Sequence, residues 1–103
     1  MRDYMTLGPV PVDESCAQVG KDDFVEKERK ELRAYRHQLE RQFPDPPEGV
    51  TFGVKHFAHD FGSYGEVVAK YDDDDEKQLE FVYQIEANLP DKWDDEARKE
   101  LDL

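Results

Sequence analysis

A single cysteine, Cys16, stands among 103 residues, so no intrachain disulfide can form. That usage fits a reducing compartment. No apolar run approaches the ~20 residues a membrane-spanning helix needs. The opening Met1-Arg2-Asp3-Tyr4 has none of the basic, apolar and small-residue regions of a secretory leader. The expectation is a soluble, cytoplasmic chain that does not engage membrane. Phosphate-cradling and nucleophile-elbow patterns are missing as well. Asp60-Phe61-Gly62 shares its letters with a kinase metal-binding tripeptide, but no Gly-rich loop or His-Arg-Asp segment accompanies it. Cys16 has no local activator that would make it a nucleophile. Nothing calls for a cofactor, and a non-enzymatic protein is expected.

Positive charge is also scarce. Fourteen Lys/Arg face 26 Asp/Glu, a net charge of −12. Residues 60–103 alone hold fifteen carboxylates against five Lys/Arg, a net −10. A surface so lopsided repels nucleic acid and anionic lipid and attracts basic protein surfaces. Charged residues make up 39% of the chain, which by itself points toward disorder. One Trp, five Tyr and six Phe in periodic segments argue instead for a packed core. The length suits a single domain, residues 1–103.

Residues 1–20 contain Gly8, Pro9 and Pro11 and read as an irregular segment with at most a short edge strand. Residues 21–103 read as a compact α-β-β-α-α core. A long helix is predicted over 22–43, with Asp22 as N-cap and a stripe of Val25, Leu32, Tyr35, Leu39 and Phe43. Pro44 ends it, and Pro46, Pro47 and Gly49 form a connector. Strands are predicted over 50–57 and 65–71. Val50, Phe52 and Val54 on the first, and Val67, Ala69 and Tyr71 on the second, would face inward. Residues 58–64 would form a long hairpin loop. A second helix over 74–89 carries Leu79, Val82, Ile85 and Leu89, and a short one over 93–101 has Asp94 as N-cap behind Trp93. The expected fold is α+β: a small antiparallel sheet of two or three strands, two long helices on one face and a short C-terminal helix. A two-stranded hairpin is weak alone, so a third strand must come from the N-terminal segment or from a partner.

Three constellations carry candidate chemistry. The first is acidic: Asp72, Asp73, Asp74, Asp75, Glu76, Glu80, Glu86, Asp91, Asp94, Asp95 and Glu96, all on or beside the last two helices. As a solvated face and helix N-terminus it serves solubility; as an array it suits a basic groove that normally holds phosphates. The consecutive aspartates lack the turn glycine and alternate spacing of a calcium loop, so no metal site is expected there. The second is His56, His59 and Asp60, whose imidazoles and carboxylate could ligate Zn or Fe in a metal-dependent hydrolase. Positions 56 and 59 point to opposite faces of a strand, so a turn would be needed to converge them. The third is basic: Lys27, Arg29, Lys30, Arg33, Arg36 and Arg41 on the first helix. Glu26, Glu28, Glu31 and Glu40 offset them, and direct nucleic-acid binding is not expected.

Three segments together resemble small acidic proteins of bacteriophages and prophages: Thr6-Leu7-Gly8-Pro9-Val10-Pro11 with Cys16-Ala17-Gln18-Val19-Gly20; His59-Asp60-Phe61-Gly62-Ser63-Tyr64-Gly65-Glu66-Val67-Val68; and Leu89-Pro90-Asp91-Lys92-Trp93-Asp94. Such proteins include anti-restriction and anti-CRISPR inhibitors, some of which imitate DNA. The resemblance implies a protein acting in the cytoplasm of a bacterial host. Its partner would be a nucleic-acid-binding defence protein whose basic groove meets the carboxylate surface. The alternative is a dimeric assembly or adaptor protein joined through its sheet edge, with acidity serving solubility.

Overall fold

A computed structural model of the protein describes residues 1–11, 23–59 and 62–103, with backbone alone at 23–25, 58–59 and 62–64. The elements are β1 (Arg2–Thr6), α1 (Asp23–Gln42), β2 (Thr51–His59), β3 (Gly62–Asp72), α2 (Glu76–Ala87) and α3 (Asp95–Glu100). The fold is α+β: a three-stranded antiparallel sheet in the order β1-β3-β2, with helices α1, α2 and the short α3. Among the described residues, no helix is long and apolar enough to cross a membrane.

The third strand comes from the chain itself: Arg2–Thr6 is the short edge strand allowed within residues 1–20. This stretch pairs with β3 from Arg2↔Asp72 to Thr6↔Val68. It precedes every proline, so each of its N–H groups can donate; the run stops at Gly8, whose φ of 77° turns the chain. Cys16 and Asp22 lie outside the described residues. The hairpin is also tighter than expected. Its ladder continues through Phe57↔Tyr64 and Ala58↔Ser63 to His59↔Gly62. Gly62 and Ser63, which look like loop residues, therefore belong to a strand.

Strand alternation puts Phe52, Val54 and His56 of β2 on one face with Val67, Ala69 and Tyr71 of β3 and Met5 of β1. Helices α1 and α2 cover this face. Leu32, Ala34, Tyr35 and Leu39 from α1 and Val82 and Ile85 from α2 are buried against it, together with Leu7, Val50, Trp93 and Ala97. Trp93 meets Tyr35 edge-on, with ring centroids 6.3 Å apart and planes at 89°. The Tyr35 hydroxyl donates to the Leu7 carbonyl at 2.6 Å, which ties the segment after β1 to α1. Burial pushes the Tyr35 hydroxyl up to about 12, so it remains a donor.

The helix ends follow local chemistry. Asp75 is extended (φ −98°, ψ 111°), and its side chain accepts from the N–H groups of Lys77 and Gln78. It is therefore a cap, and α2 begins at Glu76, two residues later than the apolar spacing suggests. Asp94 likewise caps α3 by accepting from Ala97 N–H.

The opposite sheet face has no helix on it among the described residues. Its central Val68 is nonetheless fully buried. The register explains this. Lys55 lies opposite Glu66 and Tyr4 opposite Lys70, on either side of Val68 along β3. The Lys55 ammonium sits 3.5 Å from the Tyr4 ring centroid, so the pair bridges across the strand. Gly53 lies beside Val68, and the Lys70 stem passes over it.

Candidate functional site

The acidic constellation divides in two once its local contacts are known. Asp72, Asp73 and Asp74 gather around the α-amino group of Met1, at 3.0, 3.2 and 2.6 Å. Hydrogen bonds to Asp74, Asp72 and Asp73 hold that amine's pKa at about 11. The Asp72 carboxyl is held below the usual carboxylate range, first by the Asp74 backbone N–H and then by the amine. These three aspartates are the one group of ligating side chains that converges among the described residues. A cationic amine already sits within the group, and the spacing is not that of a calcium loop.

Asp75 and Asp94 also have local work. Asp75 caps α2. Asp94 caps α3 and pairs with Arg41 on α1, Oδ1 to Nη2, at 2.7 Å. Partial burial opposes its charge, but the Arg41 guanidinium and the Ala97 N–H outweigh that and lower its pKa. Glu96 reaches Lys99 at 3.8 Å.

What remains is Glu76, Glu80, Glu86, Asp91 and Asp95, all exposed and without a cationic partner among the described residues. The buried face of α2 is Gln78, Val82 and Ile85. Glu76, Glu80 and Tyr83 lie at helical spacing away from it, with Glu86 three residues beyond Tyr83. Tyr83 is 54% exposed, an aromatic ring amid carboxylates. The five carboxylates therefore form an outward surface that runs along α2 and over the connector to α3.

Two buried glutamines hold this surface in place. Gln78 accepts from Asp72 N–H at 2.7 Å and donates to the Glu48 carbonyl at 3.0 Å and to Asp75 at 3.3 Å. It joins the end of β3, the α1–β2 connector and the α2 cap. Gln38 donates to the Lys92 carbonyl at 2.9 Å and accepts from Asp94 N–H at 3.1 Å, fixing the α2–α3 connector to α1. Neither residue stands out in the sequence. The only signal is that each falls at helical spacing within an apolar stripe, Gln38 beside Tyr35 and Leu39, Gln78 beside Leu79 and Val82.

Of the histidine constellation, only the side chain of His56 is among the described residues. His56 lies on the helix-covered face of β2, in a cleft against α1 with Arg29, Leu32, Arg33, Arg36 and Val54. The side chain of His59 and all of Asp60 lie outside the described residues. His37 is on α1 and contacts Glu100 of α3 at 2.9 Å.

The basic residues of α1 separate by partner. Lys27 pairs with Glu31 at 3.7 Å, Lys30 with Asp102 at 3.2 Å and Arg41 with Asp94. Glu28, expected to offset the arginines, instead accepts from Gly65 N–H at 2.5 Å. No family model, no curated protein and no solved structure matches this chain.

Proposed function

We propose that this protein acts by binding, through the carboxylate surface of α2 and α3, to the basic groove of a nucleic-acid-handling protein. In keeping with the phage-protein resemblance, the target would be a host defence protein of restriction or CRISPR type. The observation that carries the reading is the set of five exposed carboxylates, Glu76, Glu80, Glu86, Asp91 and Asp95, without a cationic partner among the described residues. On a rigid helix and a glutamine-anchored connector, their spacing is fixed before any partner arrives, which limits the ordering cost of association. Long-range attraction would speed encounter, and affinity would fall as salt screens it. Tyr83 within the acidic surface would supply apolar contact at its centre. No catalytic residue is part of this reading.

The test is a lysate pull-down at low and high salt, followed by kinetics on the captured protein. The informative variant is E76Q/E80Q/E86Q/D91N/D95N, because none of these side chains makes an ion pair or caps a helix among the described residues. Neutralising Asp72 to Asp75 would instead disturb the turn and the α2 cap. The five-fold variant should slow association by about tenfold or more and flatten its salt dependence. Unchanged association by a folded variant rejects the acidic surface as the binding site.

A second reading has an observation of its own. β2 is a nine-residue edge strand. Its outer side has no strand paired to it among the described residues, which makes it a template for antiparallel pairing with a second copy. The chain would then be a dimeric assembly or adaptor protein. Sedimentation at micromolar concentration decides: a dimer insensitive to salt supports this reading, and a monomer removes it.

A further inference from the structure

The cleft between α1 and β2 has a chemistry opposite to that of the rest of the chain. Arg29, Arg33 and Arg36 recur at i, i+4 and i+7 on one face of α1, with Leu32 at the floor and Val54 and His56 on the β2 side. The cleft has a volume of about 220 Å³, and no carboxylate lines it among the described residues. Neither Arg29 nor Arg33 has an ion-pair or hydrogen-bond partner among the described residues. Arg36 comes within 3.6 Å of Glu40, too far for a hydrogen bond, and its Nε is buried without one. In a chain of net charge −12, carboxylates are abundant, yet among the described residues Arg29 and Arg33 pair with none, and Arg36 faces only Glu40. The arrangement is held firmly. Gly65 lets α1 approach β3 closely: a Cβ there would lie 2.6 Å from Leu32 Cδ1 and 3.2 Å from both Glu28 Oε1 and His56 Cε1. The Glu28–Gly65 bond secures the same crossing and engages the Glu28 carboxylate with the β3 backbone.

We propose that this cleft binds the phosphate group of a small ligand, either free phosphate or the terminal group of a phosphomonoester. Guanidinium forks match phosphate oxygens bidentately, and three of them beside an imidazole favour a dianion over a monoanion. The size of the cleft suits one such group. The surrounding negative charge disfavours a long polyanion, whose further phosphates would meet the carboxylates, whereas a small dianion meets only the arginines. This inference is independent of the acidic surface on α2 and α3.

The test is an NMR titration of the whole protein at low ionic strength with inorganic phosphate, with glycerol phosphate and, as a monoanion control, with acetate. Saturable shifts confined to the Arg29, Arg33, Arg36 and His56 signals are expected with both phosphate probes. Tighter binding of glycerol phosphate assigns the site to an ester, and equal binding assigns it to the phosphate group alone. The exposed pair R29Q/R33Q should weaken binding by about tenfold or more while the remaining spectrum is preserved. Absence of saturation, equal shifts with acetate, or unchanged binding by R29Q/R33Q would each overturn the proposal.

Discussion

Gln78 shows how much a single buried polar side chain can organise. Its amide satisfies a backbone donor from β3 and a backbone acceptor from the α1–β2 connector, both far from it in sequence. Replacing it with Leu keeps volume but leaves Asp72 N–H and the Glu48 carbonyl unpaired. Chemical denaturation of Gln78→Leu should show a loss of about 2 kcal/mol. Asp94 offers a pH-dependent counterpart. Its folded pKa lies below the ordinary 3.8, so its charged form contributes stability above that value and the contribution is lost as pH falls through the lower folded one. Asp94→Asn retains a capping oxygen but loses the charge facing Arg41. Acid titration of stability should therefore fall less steeply below about pH 4 in Asp94→Asn than in the parent. A slope identical in both would place the acid sensitivity elsewhere. The aspartate run was legible as a helix start, since acids suit that end. The capture of the Met1 amine by Asp72, Asp73 and Asp74 was not, because pairing of β1 with β3 is what brings residues so far apart together.

Among the elements, α1 and β3 meet at a close crossing, and Gly65 is what permits it. A methyl group there would displace Leu32 or tilt α1 away from the sheet. Gly65→Ala should cost about 1–3 kcal/mol, read as a lowered midpoint of unfolding. Because the same contact sets the arginine cleft, the variant should also broaden the His56 resonance relative to core signals such as Val82. A neutral substitution would mean that α1 is more loosely seated than the contacts indicate. Element types were readable along the chain because the apolar residues alternate in β2 and β3 and recur at helical spacing in α1 and α2. Lengths were harder. The hairpin ladder runs on through Ser63 and Gly62, since β-pairing with Ala58 and His59 overrides the turn preference of those residues. β1 was only half visible because a five-residue strand at a sheet edge, mostly exposed, has little hydrophobic pattern to display.

At the scale of the molecule, charge is segregated. Carboxylates are dense on α2, α3 and the turn before α2, while Arg29, Arg33 and Arg36 line the cleft between α1 and β2. Excess negative charge within one small domain repels itself, and added salt screens that repulsion. The melting temperature should rise as salt goes from about 10 to 150 mM, a range over which the Debye length falls from about 30 to about 8 Å. A fall in melting temperature would mean that local pairs such as Arg41–Asp94 and Lys30–Asp102 outweigh the net repulsion. The same screening is expected to weaken association through the acidic surface, so stability and binding should respond to salt in opposite directions.

The sequence by itself determined the α+β class, the inward faces of β2 and β3, the helix stop at Pro44 and the acidity of the C-terminal half, because each follows from composition or from periodicity over a few residues. Which carboxylates remain available was decided only by tertiary structure. Asp72, Asp73 and Asp74 meet an amine brought by β1, Asp94 meets Arg41 across a helix packing, and Glu28 turns to a strand backbone. The arginine cleft arose in the same way. Along α1 its cations looked neutralised by neighbouring glutamates; Lys27 and Arg36 do face Glu31 and Glu40, but Lys30 and Arg41 reach Asp102 and Asp94 and Glu28 turns to Gly65, since in a folded chain charges pair by distance in space and not by order in sequence alone.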